Sequence, residues 1–200
     1  MRSAQKSLAY IEPEEYLLLE ANSKEKHEYM DGAIYAWQGS DVRGMAGASA
    51  DHARVVMNIY ASLREQIDPA RCELFIMDVR LRPHERSAWF YPDLMARCGP
   101  ALAGDAMEVS DACLIVEVLS DSTENFDRQD KFDRYRLMPT LQTYVLVSPA
   151  RRSIEIFRAD RDWRLEYASA ADASVELGVN DWSLQRADIF EGLRSAEVPT

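Results

Sequence analysis

The sequence predicts an α/β fold in which a central mixed β-sheet is flanked by helices. Short β-branched runs alternate with helical patterns in the order β, α, β-β-β, α, β-β-β, which is typical of helices packed against a mixed sheet. The 200 residues are 47% hydrophobic and 28% charged, a globular composition in a chain long enough to bury a core. We therefore expect a single domain over residues 1–200, with a helix and hairpin at 10–37 and a core at 48–193.

The N-terminal part of the chain predicts a helix, a hairpin and a longer helix. Residues 12–22 (EPEEYLLLEAN) have a proline near the start and acids in the first turn, as helix N-termini favour. Residues 28–37 predict two strands around Asp31-Gly32, a strong hairpin turn signal. We expect the Gly/Ser/Ala-rich stretch at 38–50 to be a mobile loop. From residue 52 to residue 67, apolar residues recur at the spacing of an amphipathic helix.

The remaining elements are strands around one charged helix. Pro92 marks a break in pairing inside the second of these strands, and Pro139 ends the charged helix. The segments are three strands (72–83, 88–98 and 111–120), the charged helix (125–138), three further strands (141–149, 153–159 and 163–170), and a closing strand with a short helix (183–193).

Charge and cysteine content restrict the function classes. The net charge is −11, which argues against tight, nonspecific binding of duplex DNA by an isolated chain, although clustered carboxylates suit a metal-dependent enzyme. The odd number and wide spacing of Cys72, Cys98 and Cys113 predict neither a disulfide framework nor a zinc site. We expect three reduced cysteines in a cytoplasmic protein. The N-terminus has no apolar signal core, and no apolar run approaches ~20 residues, so we expect no membrane association.

The stretch LIVEVLSDST contains the most informative residue. Its apolar part predicts a buried strand, and Glu117 lies in the middle of it, on the same face as Ile115 and Leu119. An unpaired carboxylate there would lose several kcal/mol of hydration, on the order of the cost of burying an ion. Glu117 must therefore have a cation, a hydrogen-bond network or a metal ion as its partner.

Further polar residues are candidates for the same site. Asp93 follows a proline in YPDLM, Glu28 precedes the predicted hairpin turn, and the charged helix carries Asp127, Lys131 and Tyr135 on one face. If Asp93 comes from a strand next to that of Glu117, the two carboxylates converge and repel unless a proton or cation lies between them. Two carboxylates and a backbone carbonyl would suit Mg²⁺, which keeps several waters.

Simpler interpretations remain open for each candidate. Glu117 is equally well a buried acid paired with Lys131 or Arg128, and Asp93 a turn residue after proline. The remaining candidates also have ordinary structural roles: a surface ion pair for Asp127 with Lys131, packing for Tyr135, a strand-edge charge near Lys24 and Lys26 for Glu28, and a helix N-terminal position for His52.

The motifs YPDLM, LIVEVLSDST and DRQDKFDRY resemble the Uma-type endonuclease family of the PD-(D/E)XK nuclease superfamily, over roughly residues 10–193. The superfamily lysine two residues after the acid is replaced here by Leu119, and the resemblance assigns its role to Lys131 on the following helix. HEYMDG resembles the family motif around an acidic residue, at Glu28, and His52 matches a family histidine. The segment TYVLVSP lacks the acidic and tryptophan residues that the family tends to have there.

The resemblance implies a restriction-endonuclease-like fold and Mg²⁺-dependent hydrolysis of DNA, with Mn²⁺ as a substitute metal, by a homodimer. Asp93, Glu117 and the Val118 carbonyl would bind the metal ion, and Lys131 would position or activate the attacking water. The implied auxiliary residues are Glu28, His52, Asp127 and Tyr135. Two further functions remain open: a non-catalytic interaction or assembly protein that retains the nuclease fold, and a metal-dependent hydrolase of a small phosphate ester.

Overall fold

A computed structural model describes residues 10–36, 49–169 and 173–194 of the protein. Apart from Ser49 and Ala50, the loop predicted at 38–50 lies outside the described residues, as does Trp37. The helices in the described ranges are α1 (Pro13–Asn22), α2 (Ala50–Gln66), α3 (Glu124–Phe126), a π-helical turn (Asp127–Lys131), α4 (Phe132–Tyr135), a 3-10 turn (Ala159–Arg161) and α5 (Arg186–Ile189).

Within the described ranges, the strands form one large sheet and three small ones. The large sheet has six strands in the order β11-β10-β9-β8-β6-β3, and it is mixed because β8 and β9 run parallel while its other neighbours are antiparallel. The small sheets are β2-β1-β5, β12-β13 and β4-β7. The strands are β1 (His27–Met30), β2 (Ala33–Ala36), β3 (Cys72–Ile76), β4 (Arg80–Leu81), β5 (Ala88–Trp89), β6 (Leu94–Cys98), β7 (Glu108–Val109), β8 (Ala112–Val118), β9 (Thr143–Ser148), β10 (Ser153–Arg158), β11 (Leu165–Ala168), β12 (Ser174–Glu176) and β13 (Ser183–Gln185).

Local sequence signals explain the N-terminal elements. Pro13 opens α1, where the missing backbone N–H costs no helical hydrogen bond. Asp31 and Gly32 have φ angles of 47° and 86°, and two positive φ values are what a two-residue hairpin turn needs to follow the twist of its strands. The Ser49 hydroxyl accepts a hydrogen bond from the His52 backbone N–H at 3.1 Å and so caps α2. The predicted helix, hairpin and amphipathic helix are therefore confirmed.

The segment around Pro92 connects two sheets. β5 pairs with β1 in the small sheet, whereas β6 pairs with β3 and β8 in the large one. The predicted break at Pro92 is confirmed. Because β5 pairs with β1 and β6 pairs with β8, the segment between β5 and β6 brings β1 of the small sheet close to β8 of the large sheet. The short strands β4, β5, β7 and β12 were not predicted as separate elements.

The large sheet has an apolar core on each face. Helix α2 packs with α5 and the β12-β13 hairpin on one face, where Leu114, Val116 and Val118 of β8 point. On the other face, Ile115 and Leu119 pack with Tyr135 of the charged helix. In the structure this helix spans residues 124–135, so it ends before the predicted residue 138. The alternation along β8 puts the side chain of Glu117 on the face of Ile115 and Leu119, as the sequence predicted, and this face lies under the charged helix.

The expectation of three reduced cysteines is wrong for two of them. Cys72 and Cys98 form a disulfide, and Cys113 is a buried free thiol. The cause is strand register, because Cys72 on β3 lies directly opposite Cys98 on β6. Spacing along the chain does not contain this information.

None of the helices within the described ranges is long and apolar enough to cross a membrane.

Candidate functional site

Asp93 and Glu117 meet at the N-terminal end of β6. Leu94 pairs with Val116 in antiparallel register, so the preceding residue, Asp93, lies beside Glu117. The Asp93 backbone N–H donates to Glu117 Oε2 at 3.1 Å, and the Val118 N–H donates to Asp93 Oδ2 at 2.7 Å. Both side chains are buried. The structure therefore brings together the two acids that the sequence predicted to converge, with Asp93 in a bend directly after Pro92.

Lys131 lies at the centre of the carboxylates. Its Nζ atom is 3.1 Å from Glu117 Oε1, 3.0 Å from Glu28 Oε1 and 3.1 Å from Asp127 Oδ1, and its side chain is 6% exposed. The interpretation of Asp127 and Lys131 as a surface ion pair on a solvated helix is therefore wrong, because both side chains are buried. Arg128 is not the partner of Glu117, because it pairs with Glu155 and Glu124.

The π-helical turn of the charged helix carries two residues of the site. Asp127 and Lys131 are the first and last residues of that turn, and π turns inside α-helices are frequent at functional sites. Tyr135 follows on α4 and donates its hydroxyl to Glu117 Oε1 at 2.9 Å. Its ring also packs edge-on against Phe90 and Tyr144. Tyr135 therefore has the predicted packing role and also fixes the carboxylate of Glu117.

Glu28 is supplied by the small sheet. Its Oε1 atom accepts the Tyr91 backbone N–H at 3.0 Å in addition to its contact with Lys131, and the residue is 3% exposed. Lys26, a possible neighbour from its position in the sequence, instead contacts the Met77 carbonyl and Asp78. The interpretation of Glu28 as a strand-edge charge is therefore wrong.

His52 faces Asp93 from the first turn of α2. Its Nε2 atom is 3.1 Å from Asp93 Oδ2, and its buried Nδ1 atom has no hydrogen-bond partner within the described ranges. Burial lowers the pKa of His52, but the hydrogen bond and charge of Asp93, with the Val118 backbone, outweigh burial and raise it overall. His52 therefore does more than begin a helix, since it fixes one oxygen of Asp93.

The site carries a surplus of negative charge. Burial raises the pKa of Glu117 well above its usual range; Lys131 opposes this, and the charges of Asp127, Asp93 and Glu28 add to it. Burial also raises the pKa of Glu28. Among the described residues the site holds four carboxylates and one ammonium, so within that set three negative charges are uncompensated when all four acids are ionised and His52 is neutral. A bound cation would relieve this repulsion.

The donor set fits a divalent metal only in part. No group of three or more His, Cys, Asp or Glu side chains in the described parts of the chain is arranged to hold a metal ion. Asp93 and Glu117 supply two carboxylates, and the buried Oδ1 atom of Asp127 accepts no hydrogen bond although Lys131 lies close to it. The site offers a small number of protein ligands, and their donor atoms are oxygens. This set suits Mg²⁺, which binds through one or two carboxylates and keeps several waters. It suits a structural zinc ion, which needs four protein ligands, less well.

Sequence reasoning missed the aromatic residues of the site. The rings of Phe90 and Phe126 have centroids 5.9 Å and 5.8 Å from Lys131 Nζ, close enough for cation–π attraction. The available signal was the aromatic pair Phe90-Tyr91, which directly precedes Pro92-Asp93.

Comparison with known proteins places the chain in a family. Residues 13–187 match the model of the Uma2 family, described as "Putative restriction endonuclease". Two Synechocystis sp. proteins, "Uncharacterized protein slr1290" and "Uncharacterized protein sll1609", are 34% and 35% identical over 185 and 167 residues. These alignments cover 92% and 82% of this chain, and 93% and 90% of the relatives.

A solved structure shares the fold. It is described as "a putative nuclease belonging to DUF820 from Anabaena variabilis", and it matches with a TM-score of 0.70 and 16% identity over 92% of this chain and 99% of its own. The likeness confirms the predicted restriction-endonuclease-like fold class. Because the Uma2 family model matches residues 13–187, most of the sequence, the chain belongs to the Uma2 family.

Proposed function

We propose that the protein is a Mg²⁺-dependent endonuclease that hydrolyses phosphodiester bonds of DNA. The observation that carries the proposal is the buried contact between Asp93 and Glu117, with Lys131 Nζ 3.1 Å from Glu117 Oε1. The description of the Uma2 family supports the same activity. In this proposal Mn²⁺ substitutes for Mg²⁺, and the protein acts in the cytoplasm as a homodimer whose two sites reach the two DNA strands.

Each residue of the site has a chemical role in this proposal. Asp93 and Glu117, with the Val118 carbonyl, would hold the ion, which when bound supplies a water of lowered pKa and offsets charge on the phosphate. Lys131 would orient the attacking water or stabilise the negative charge of the transition state.

The auxiliary residues would orient these groups. Tyr135 donates to Glu117 and His52 contacts Asp93, so each restricts the rotation of a metal-binding carboxylate. Glu28 and Asp127 hold the ammonium of Lys131 near the reacting groups.

The net charge of −11 repels the phosphate backbone, so an ion at the site would also reduce the repulsion of bound DNA.

A second candidate is a non-catalytic assembly protein. One observation favours it: Lys131 Nζ already contacts three carboxylates, so each of these acids has a partner without any metal. Binding of Mg²⁺ distinguishes the two candidates.

Isothermal titration with Mg²⁺ or Mn²⁺ tests the metal site. We expect the wild-type chain to bind, and Asp93→Asn and Glu117→Gln to lose most of the affinity. Asp133→Asn is the matched control, because Asp133 is an exposed acid on α4. Absence of binding by a folded wild-type protein would favour the assembly protein.

Plasmid nicking tests the substrate. Loss of a preorganised donor to the transition state costs about 10²–10³-fold in rate, so we expect Lys131→Ala to nick at least 10²-fold more slowly, and Lys24→Ala, at an exposed position, to behave as wild type. Cleavage of a chromogenic phosphate ester without any cleavage of DNA would instead indicate a small-ester hydrolase.

A further inference from the structure

Three sulfur atoms lie together at the C-terminal end of β6, away from Asp93 at its start. The disulfide between Cys72 and Cys98 joins β3 to β6. The Sγ atom of Cys113, on β8, lies 3.8 Å from Cys98 Sγ. All three cysteines of the chain therefore form one cluster, in which Cys98 lies between two possible partners.

A β-bulge produces this arrangement. Ala96 pairs with Leu114 and Arg97 pairs with Ala112, so Cys113 is an extra residue on β8. Successive residues of a regular strand point to opposite faces, but Cys113 and Leu114 both lie in the core on the α2 side of the sheet. The bulge thus turns the Cys113 thiol toward Cys98.

A cavity of about 620 Å³ lies beside the disulfide, and its lining includes Cys72, Cys98, Arg71, Asn180 and Trp182. Its size lies within the range of small-molecule sites. Asn180 Nδ2 is 3.2 Å from Cys98 Sγ and 3.9 Å from Cys72 Sγ. An amide donor at these distances stabilises a thiolate that forms at either sulfur, and easier departure of a thiolate speeds exchange.

We propose that Cys72, Cys98 and Cys113 form a thiol–disulfide exchange site, in which Cys98 changes partner from Cys72 to Cys113 when a low-molecular-weight thiol enters the cavity. The proposal goes beyond the nuclease function and does not depend on it.

The exchange balances without an external oxidant. The thiolate of the small thiol attacks Cys98 Sγ, the Cys72–Cys98 bond breaks, and Cys72 leaves as a thiolate that takes up the proton the small thiol lost. Cys113, after losing its proton, then attacks Cys98 Sγ and expels the small thiolate, which takes up that proton. The products are a Cys98–Cys113 disulfide, a free Cys72 thiol and the recovered small thiol.

The protonation of Cys113 determines the order of these steps. Burial raises the pKa of its thiol to about 11, and the thiol donates to the Ala96 carbonyl at 3.4 Å. Because only the thiolate attacks a disulfide, the small thiol reacts first.

Disulfide mapping tests the proposal. The folded full-length chain is incubated with 2-mercaptoethanol, quenched with acid, alkylated and analysed by peptide mass spectrometry. We expect wild type to accumulate the Cys98–Cys113 disulfide, and Cys113→Ala to accumulate several-fold more mixed disulfide on Cys98. Equal amounts of mixed disulfide in both proteins, or no reaction of the folded wild type, would overturn the proposal.

A second variant tests the proposal even if Cys113→Ala does not fold. Cys72→Ser leaves only Cys98 and Cys113, and treatment with 2-hydroxyethyl disulfide, which is reduced to two 2-mercaptoethanol molecules, should join them. A folded Cys72→Ser protein that keeps both thiols free would contradict the inference. Circular dichroism establishes folding of each variant before the reaction.

Discussion

Removal of the Lys131 ammonium is the most direct test of the charge balance at the site. The substitution Lys131→Met keeps most of the length and apolar character of the side chain. It removes the contacts of Nζ with Glu28, Glu117 and Asp127, at 3.0–3.1 Å, and leaves the carboxylates buried together. We therefore expect a large loss of stability in the metal-free protein.

The structure allows the loss to be estimated. Removal of one partner of a buried ion pair costs about 3–5 kcal/mol, and an m-value of about 1–3 kcal/mol/M in urea converts this into a midpoint lower by about 1–5 M. The loss should shrink between pH 8 and pH 5. Burial raises the pKa of Glu117 and of Glu28 above their usual range, so lowering the pH protonates these two carboxylates and removes part of the repulsion.

Urea unfolding followed by circular dichroism measures this effect, with metal removed by a chelator. Urea is preferred to guanidinium because it does not screen charges. Lys24→Met is the matched control, because the exposed Lys24 should change stability by less than about 0.5 kcal/mol. A Lys131→Met protein within about 1 kcal/mol of wild type at pH 8 would refute the argument that the ammonium holds the carboxylates together.

Three further predictions concern groups around the site and the fold. Tyr135→Phe removes a hydroxyl that donates to Glu117 and should weaken Mg²⁺ binding about tenfold in titration, with unfolding still cooperative; unchanged affinity would contradict this. Asp111→Asn should lower Tm by about 2–4 °C at pH 7 and by less at pH 3. The hydrogen bond from Arg97 holds the Asp111 pKa below its usual range. The ionised carboxylate therefore contributes to the stability of the folded state, on the order of 1 kcal/mol after discounting for exposure. This contribution is lost as the pH falls through the lowered pKa of Asp111. Gly32→Ala should cost about 1–2 kcal/mol in urea unfolding, because φ at this residue is +86°; an unchanged midpoint would show that the turn relaxes.

Local signals predicted the elements of the fold well. The spacing of apolar residues located α2, and Asp31-Gly32 located the hairpin, because each depends on interactions between residues close in the chain. The same reasoning identified Glu117, since a lone carboxylate in an apolar strand requires a partner. Lys131 could be proposed as that partner because it lies on the next helix.

Relations between distant strands could not be predicted. The disulfide depends on the register that sets Cys72 opposite Cys98, and the position of Cys113 depends on a bulge. Glu28 reaches the site because the chain changes sheets at Pro92, which aligns β1 with the end of β6. The π-helical turn of Asp127–Lys131 could not be predicted either, because the helical pattern used for the sequence assumes 3.6 residues per turn.

The charges of the four carboxylates and Lys131 do not balance. A structural role of Glu117 as a partner of Lys131 therefore does not exclude a catalytic role. An ion pair that served only stability would need one acid for Lys131, but the ammonium contacts three, and Asp93 adds a fourth carboxylate. Buried carboxylates in excess of cations lower the stability of a fold, so their presence needs another cause. A divalent ion would reduce the surplus from three negative charges to one, and could then release Lys131 from part of its pairing to contact a water or a phosphate. On this argument, addition of Mg²⁺ should stabilise wild type, and should stabilise Lys131→Met by more.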